Sequence, residues 1–335
     1  MKNEELAEAP ICSPISLGRV FSCIDNTTLN ATDNDASVEA FCRKTLEYTP
    51  HAPLKGGRQK DVSPLKGGMQ KDVSPLKGGR QKDVSPLKGG MQKDVSPLKG
   101  ERQNEVSPLK GGRQEKNASP LEGGQGGVNV AAVCVYPRFV AQAARVLEGS
   151  GIKVASVAGA FPHGQLPLEL KVEEVKYAVR QGADEIDMVL SRGALLAGDY
   201  DTVRAEVAAM KQACGGRTLK VILETGDLPT PDHIHRAAML AMEGGAEFIK
   251  TSTGKGGVGA TPEAAKVMLE AIAEYVKISK KTIGFKAAGG ISTPEEALLY
   301  AEMAKNVMGD KYINKQTFRI GASRLTDKLY SLLTI

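Results

Sequence analysis

The segment FIKTSTGKGGVGATPE, residues 248–263, combines a short apolar strand, a glycine-rich turn and the opening of a helix. The segment GFKAAGGISTPEE, residues 284–296, repeats the same order. In each, a threonine followed by proline and glutamate is typical of a helix start, because the hydroxyl caps free N–H groups and proline fits the first turn. The two segments therefore predict consecutive strand–helix units with a lysine inside each strand.

The same alternation extends through the rest of the chain. Apolar stripes at helical spacing, such as Leu168, Val172, Val175 and Val179, separate the strands. Strands are predicted over residues 19–25, 129–136, 153–157, 185–189, 219–224, 248–251, 283–286 and 318–321, with early helices over 36–48 and 137–149. Eight such units predict an α/β fold of the (β/α)8, or TIM, barrel type. A doubly wound open sheet would more often have five or six strands, and no G-x-G-x-x-G follows the first one.

A repeat of eleven residues interrupts this array. The unit S-P-L-K-G-G-[RM]-Q-K-D-V recurs between Pro53 and Gly124, which contain seven prolines and 13 glycines. So polar and glycine-rich a unit cannot build a packed core. We therefore expect residues 1–48 to form the first part of the barrel, 49–127 a disordered low-complexity insertion, and 128–335 the remainder. An insertion between the first barrel helix and the second strand lies on the face opposite the active site.

Charge and cysteine content limit the function classes. The net charge of +5 comes from the repeat, which holds 15 basic and 8 acidic side chains, so it does not indicate that the rest of the chain binds nucleic acid. No apolar run is long enough for a membrane helix, and three glutamates among the first ten residues argue against a secretory signal. Cys12, Cys23, Cys42, Cys134 and Cys214 lack a C-x-x-C pair, which argues against a metal site and favours the cytoplasm.

Two lysines carry the strongest chemical signal. Lys250 and Lys286 lie in apolar strands predicted to be neighbours, and Asp187 lies in a strand two places away. Burying an ammonium is costly, so each lysine hinders protonation of the other and one amine becomes partly neutral. A neutral amine forms a Schiff base with a carbonyl. Either lysine alone would more often be a salt-bridged side chain, but the pair with a carboxylate favours a catalytic site.

Glycine-rich turns follow three of the predicted strands. They contain Gly254 and Lys255, then Gly289 and Gly290, and finally Gly321 to Ser323. Each turn precedes a helix, where exposed backbone N–H groups bind phosphate. The turns therefore predict a phosphate site beside the two lysines.

These residues lie in a sequence that resembles the class I deoxyribose-phosphate aldolase family across nearly everything outside the repeat. The motifs that carry the resemblance are DNTTLN (25–30), CVYPRF (134–139), FPHG (161–164), GADEIDMV (182–189), LKVILETG (219–226), FIKTSTGK (248–255) and GFKAAGGI (284–291). The resemblance implies reversible cleavage of 2-deoxyribose 5-phosphate into acetaldehyde and glyceraldehyde 3-phosphate. It also implies a homodimer or higher oligomer, and no cofactor or metal.

The resemblance also assigns roles to individual residues. It implies that Lys250 forms the Schiff base, that Lys286 lowers its pKa and assists proton transfer, and that Asp187 is the acid/base partner. Further residues are expected near the substrate (Asp25, Thr27 and Cys134), at its sugar and phosphate (Thr253 and Lys255) and at the phosphate (Gly254, Gly289, Gly290, Gly321 and Ser323). A structural role for buried Cys134 is equally open.

The sequence departs from the family pattern at two positions near the expected site. Arg324 stands where a second serine is common, and it either strengthens the grip on phosphate or points to solvent. Ala287 stands where one branch of the family has proline. His163 is expected near the substrate loops, whereas His233 and His235 are expected to be structural.

Two alternatives remain open from the sequence. One is another Schiff-base barrel aldolase acting on a different phosphorylated or ketose substrate. The other is a scaffold that tethers nucleic acid through the basic repeat, although the repeat has no aromatic residues for base stacking.

Overall fold

The structure, a computed structural model, describes residues 15–48 and 129–334. Eight parallel strands close into a barrel in chain order. The strands are β1 Ile24–Thr27, β2 Ala132–Val135, β3 Lys153–Ala158, β4 Glu185–Val189, β5 Thr218–Ile222, β6 Phe248–Lys250, β7 Gly284–Ala288 and β8 Phe318–Ala322. The predicted barrel is therefore confirmed.

Helices alternate with the strands around the outside. They are α1 Leu17–Phe21, α2 Asp35–Glu47, α3 Val140–Val146, α4 Leu168–Arg180, α5 Arg192–Leu196, α6 Tyr200–Ala213, α7 Pro231–Glu243, α8 Pro262–Ser279, α9 Pro294–Met308 and α10 Leu325–Leu333. In the part of the chain that the structure describes, no helix is long and apolar enough to cross a membrane.

The helix starts behave as their sequences predict. The hydroxyls of Thr230, Thr261 and Thr293 each accept a hydrogen bond from a backbone N–H in the first turn of α7, α8 and α9. At α9 the Glu296 side chain also accepts from the Thr293 backbone, which completes the capping box. These caps fix where each helix leaves the glycine-rich turn before it.

The predicted strand over residues 19–25 is wrong over residues 19–23 and correct only from Ile24. Residues Leu17–Phe21 form helix α1, because the Ser16 side chain caps it by accepting a hydrogen bond from the Arg19 backbone. The side chains of Val20 and Phe21 in this helix are buried in the core. The strand begins only at Ile24. A short apolar run does not by itself separate a strand from a buried helical turn.

The register of the strands brings the charged residues together. Lys250 lies opposite Lys286 in the β6–β7 pair, and Asp187 lies opposite Lys220 in the β4–β5 pair. Apolar side chains such as Val133, Ile186 and Phe285 belong to the buried core. Asp187 and Lys286 follow Ile186 and Phe285 directly in their strands, so they face the opposite side, the barrel interior.

The repeat falls outside the described residues. The described chain breaks off at Tyr48, just after α2, and resumes at Asn129, just before β2. Because α2 runs back from the carboxyl end of β1, both attachment points lie on the amino-terminal side of the barrel.

Candidate active site

Asp187, Lys250 and Lys286 meet inside the barrel. The Lys250 Nζ lies 2.9 Å from the Asp187 Oδ2, and the Lys286 Nζ lies 2.8 Å from the same oxygen. All three side chains are buried, Asp187 and Lys286 completely and Lys250 with 3% of its surface exposed. The structure therefore brings together the three residues that the sequence singled out.

Four further charged residues complete this group, and the sequence analysis missed the role of most of them. The Lys220 Nζ lies 2.8 Å from Asp187 Oδ1 and 2.5 Å from Glu185 Oε2. Arg319 donates to Glu185 at 2.8 Å and to Asp25 at 2.5 Å, and Asp25 in turn lies 2.5 Å from Lys286. We call the seven residues the interior cluster: Asp25, Glu185, Asp187, Lys220, Lys250, Lys286 and Arg319.

The signal for these residues was present in the sequence. Lys220 lies in LKVI and Arg319 in FRI, each a charged residue within an apolar strand, as Lys250 and Lys286 are. A buried cation requires a carboxylate partner. The number of such cations could therefore have predicted a larger cluster than one carboxylate and two lysines.

The interior cluster contains four cations against three carboxylates. Burial alone would raise the pKa of Asp187, but Lys220, Lys250 and Lys286 hold it well below its ordinary value. Burial alone would lower the pKa of Lys286, but Asp187 and Asp25 raise it. These two residues are therefore an ionised carboxylate and a charged ammonium at neutral pH.

Lys250 is the exception among the lysines of the cluster. Its pKa is lowered from the ordinary value, first by burial and also by the charge of Lys286, although Asp187 opposes the shift. Without a proton on Lys250, three cations balance three carboxylates. Lys250 is thus the lysine of the cluster that loses its proton most readily, and it also lines a cleft at the carboxyl ends of the strands.

A cleft opens at the carboxyl ends of β1, β6, β7 and β8, directly above Lys250. Its lining comprises Thr27, Leu29, Asn30, Lys250, Thr253, Gly254, Lys255, Ala288, Gly289, Gly290, Ile291, Ser292, Gly321, Ala322, Ser323 and Arg324. These residues include three basic side chains, those of Lys250, Lys255 and Arg324, and no carboxylate. The cleft is therefore electrostatically suited to an anion.

Two glycines shape the cleft by close approach. Gly289 has a φ of +94°, and its carbonyl accepts the Ala260 N–H at 3.0 Å, so the loops after β6 and β7 pack backbone to backbone. At Gly321, a Cβ would lie 3.1 Å from Lys286 Cε and 2.9 Å from Ala288 Cβ. Gly321 therefore makes room for the Lys286 side chain as well as lining the cleft.

The remaining predicted site residues divide into two groups. Thr27, Thr253 and Lys255 line the cleft together with Ser323 and the predicted glycines. Asp25 and Cys134 are fully buried in the barrel interior, do not belong to the lining, and Cys134 packs near Ala155 and Val157. Burial raises the pKa of the Cys134 thiol to about 11, so this cysteine is an unreactive interior side chain.

The three histidines that the structure describes are not part of the cleft lining. His163 is exposed, and its carbonyl accepts a hydrogen bond from Arg192. His233 contacts the Thr230 hydroxyl at the start of α7, and His235 contacts Glu274. The latter two therefore have structural contacts, as expected.

Comparison with known proteins identifies the class of enzyme. Residues 115–323 match the DeoC/LacD family aldolase, and because this match covers more than half of the chain, the protein belongs to that family.

Among its relatives are two mammalian deoxyribose-phosphate aldolases. The chain is 44% identical to the human protein and 44% identical to the mouse protein, each over 201 residues, 59% of this chain and 63% of the relative. The chain thus spans less than two thirds of either relative. The deoxyribose phosphate aldolase of Aeropyrum pernix, a tetrameric structure, shares the fold with a TM-score of 0.58 and 20% identity over 95% of this chain and 92% of that one.

Proposed function

We propose that this protein catalyses the reversible cleavage of 2-deoxyribose 5-phosphate into acetaldehyde and glyceraldehyde 3-phosphate through a Schiff base on Lys250. The observation that carries the proposal is the Lys250 amine, which lines the cleft and has a lowered pKa. Membership of an aldolase family supports the reaction type, and the names of the mammalian relatives support the substrate.

Imine formation begins with the neutral Lys250 amine. Its lone pair attacks the C1 carbonyl carbon of the open-chain sugar, and loss of water gives a protonated imine. The water leaves after proton transfer to its oxygen, and the Lys286 ammonium, which donates to the same Asp187 oxygen as Lys250, is suited to supply that proton. The iminium then serves as the electron sink that carbon–carbon cleavage requires.

Cleavage breaks the bond between C2 and C3. A base removes the proton of the C3 hydroxyl, and the C2–C3 electron pair moves into the iminium. Glyceraldehyde 3-phosphate then departs, while an enamine remains bound to Lys250. Asp187 is ionised and is suited to take this proton through water. Protonation of the enamine carbon and hydrolysis of the imine then release acetaldehyde and restore the Lys250 amine.

The phosphate is proposed to bind at the end of the cleft nearest β7 and β8. Support comes from Lys255, Arg324 and Ser323 along its wall and from the first turn of α10. Gly289 and Gly290 add backbone N–H groups after β7. Arg324 lines the cleft, so we include it as a phosphate ligand. Its guanidinium can form charged hydrogen bonds to phosphate, which a serine at this position could not form.

The first experiment is borohydride trapping with 2-deoxyribose 5-phosphate, followed by peptide mass mapping. A reduced adduct on Lys250, absent from a folded Lys250→Ala variant, is the expected result. Lack of an adduct in folded wild-type protein would contradict the imine mechanism. Cleavage of fructose phosphates in preference to deoxyribose phosphate would instead favour a related aldolase with another substrate.

Assembly and location are proposed on separate grounds. We infer that the protein forms a homo-oligomer, because the Aeropyrum pernix enzyme is described as a tetramer. Light scattering of the purified protein tests this inference. We also infer a reducing compartment, the cytoplasm, because Cys23, Cys42, Cys134 and Cys214 are buried free thiols. Fractionation of cells that express the protein tests this location.

A further inference from the structure

Glu224 has a backbone conformation that side chains with a Cβ disfavour. It follows β5, and its φ of 53° and ψ of 62° lie in the left-handed region. The backbone on either side is fixed, since the Leu223 N–H donates to the Lys250 carbonyl at 2.9 Å and the Thr225 N–H donates to the Thr251 carbonyl at 3.0 Å. Such a conformation persists where its surroundings impose it, often at functional sites.

This conformation directs the Glu224 carboxylate against the loop after β6. The carboxylate is 2% exposed and accepts the Thr253 N–H at 3.2 Å, together with the Thr253 hydroxyl proton. The Thr253 Oγ1 in turn accepts the Lys255 N–H at 3.0 Å. A chain of hydrogen bonds therefore runs from a buried carboxylate to the backbone of a lysine that lines the cleft.

The hydrogen-bonding capacity of Thr253 is largely used by this chain. A hydroxyl has one proton, and in Thr253 that proton is donated to Glu224. Thr253 therefore has no proton left to donate to the substrate, although the sequence suggested a direct sugar contact. Arg192, whose Nη1 lies 3.8 Å from Glu224 and 2.7 Å from Asp227, supplies a cation beside the carboxylate.

We propose that Glu224 is a positioning residue that fixes the Thr253–Lys255 segment and thereby sets the affinity for the phosphorylated end of the substrate. This inference rests on the proposed function. Glu224 acts through Thr253 and does not reach the reacting carbon. Its loss therefore weakens binding of a phosphorylated substrate much more than it slows imine chemistry at Lys250.

The test compares Glu224→Gln with wild type on 2-deoxyribose 5-phosphate and on unphosphorylated 2-deoxyribose. Both Thr253 donors reach the same oxygen, Oε2, so the amide oxygen of glutamine can accept in its place and the variant loses the negative charge of the acceptor. Because a hydrogen bond to a charged acceptor is about twice as strong as a neutral one, we expect the KM for the phosphorylated sugar to rise about fivefold, with kcat changed less than about threefold. The kcat/KM for the unphosphorylated sugar should fall by a much smaller factor.

Glu206→Gln is the matched control. Glu206 is also a buried glutamate, bonded to Lys171 at 2.8 Å and to Ser191 at 2.6 Å, but it lies on α6 away from the cleft. This variant should lose stability in urea without a change in KM. A rise in KM in both variants would show a general structural effect and would overturn the inference.

Thr253→Val removes the same contact from the other side, because valine lacks the hydroxyl that donates to Glu224. This variant keeps the proposal testable if Glu224→Gln does not fold. It should also raise KM, and its effect should overlap with that of Glu224→Gln in the double variant, because both act on the same chain of hydrogen bonds. Equal losses on the two sugars, or independent effects in the double variant, would contradict a positioning role. Lack of wild-type turnover would instead refute the proposed function.

Discussion

Lys250 and Lys286 donate to the same oxygen of Asp187, yet their pKa values move in opposite directions. The difference lies in the second carboxylate, since Asp25 lies 2.5 Å from Lys286. One lysine therefore holds a proton while its neighbour more readily loses one. This division of roles is a consequence of placement alone, because the two residue types are identical.

Replacing Lys286 with leucine should shift the pH dependence of imine formation upward. The variant removes a neighbouring positive charge and leaves Asp187 to pair more strongly with Lys250, and both changes raise the pKa of Lys250. Since only the neutral amine reacts, the rate of borohydride trapping should rise at higher pH than in wild type, and kcat should fall about 10²-fold or more. An unshifted profile would show that Lys286 does not control the Lys250 proton.

Lys220 should be a major source of stability. It is fully buried and contacts Asp187, Glu185 and Asp25. Lys220→Met leaves these carboxylates with fewer cations, which should lower the free energy of unfolding by about 3–5 kcal/mol in urea titration. The control Lys266→Met removes a lysine that is 68% exposed and should change stability by about 0.5 kcal/mol or less. Similar losses of stability in both variants would show that Lys220 does not stabilise the fold through its carboxylate partners.

Lys220→Met should also make the protein more sensitive to unfolding by acid. Asp187 and Asp25 have pKa values below their ordinary range in the folded state. Their contribution to stability is therefore present above the unfolded pKa of about 3.9 and is lost as the pH falls through the lower folded pKa. Because Lys220 lowers both folded values, Lys220→Met should unfold at a higher pH in acid titration followed by circular dichroism.

At the level of elements, the contact between β7 and β8 depends on a missing side chain. A methyl group at Gly321 would lie 2.9 Å from Ala288 Cβ and 3.1 Å from Lys286 Cε, so that β8 or the lysine must move. Gly321→Ala should therefore cost about 1–3 kcal/mol of stability and reduce kcat by displacing Lys286. Wild-type kcat with unchanged stability would show that the barrel absorbs the methyl group without moving Lys286.

For the whole molecule, the positions of Tyr48 and Asn129 predict the effect of the repeat on catalysis. These ends of the described segments lie after α2 and before β2, on the amino-terminal side of the barrel, whereas the cleft lies at the carboxyl ends of the strands. Deletion of residues 53–124 should leave kcat and KM for deoxyribose phosphate within about twofold of wild type, because the free-energy cost of closing a connection changes only slowly with its length. A large loss of turnover in a folded deletion variant would show that the repeat takes part in catalysis.

The same deletion also tests whether the repeat binds nucleic acid. Wild-type retention on RNA that weakens with salt and disappears in the deletion variant would support a tether. Equal behaviour of the two proteins would leave the aldolase site as the functional part of the chain.

The barrel, the order of its strands and three residues of the candidate site follow from local sequence. Alternating apolar runs, threonine–proline helix starts and lysines within apolar strands are signals that neighbouring residues determine. The same local signals misplaced the first strand, because the apolar run that includes Val20 and Phe21 suits a buried helical turn as well as a strand.

The tertiary structure alone decided which charges are partners. Asp25, Glu185 and Arg319 are far apart in the chain, and only closure of the barrel between β1 and β8 brings them around Lys220 and Lys286. The pKa of a buried lysine depends on every charge within a few ångströms, whichever strand carries it. The sequence by itself thus determined that a lysine pair exists in a barrel. The fold supplied the physical reason for the lowered pKa of Lys250 and the raised pKa of Lys286, and it placed the Glu224 carboxylate against the loop after β6.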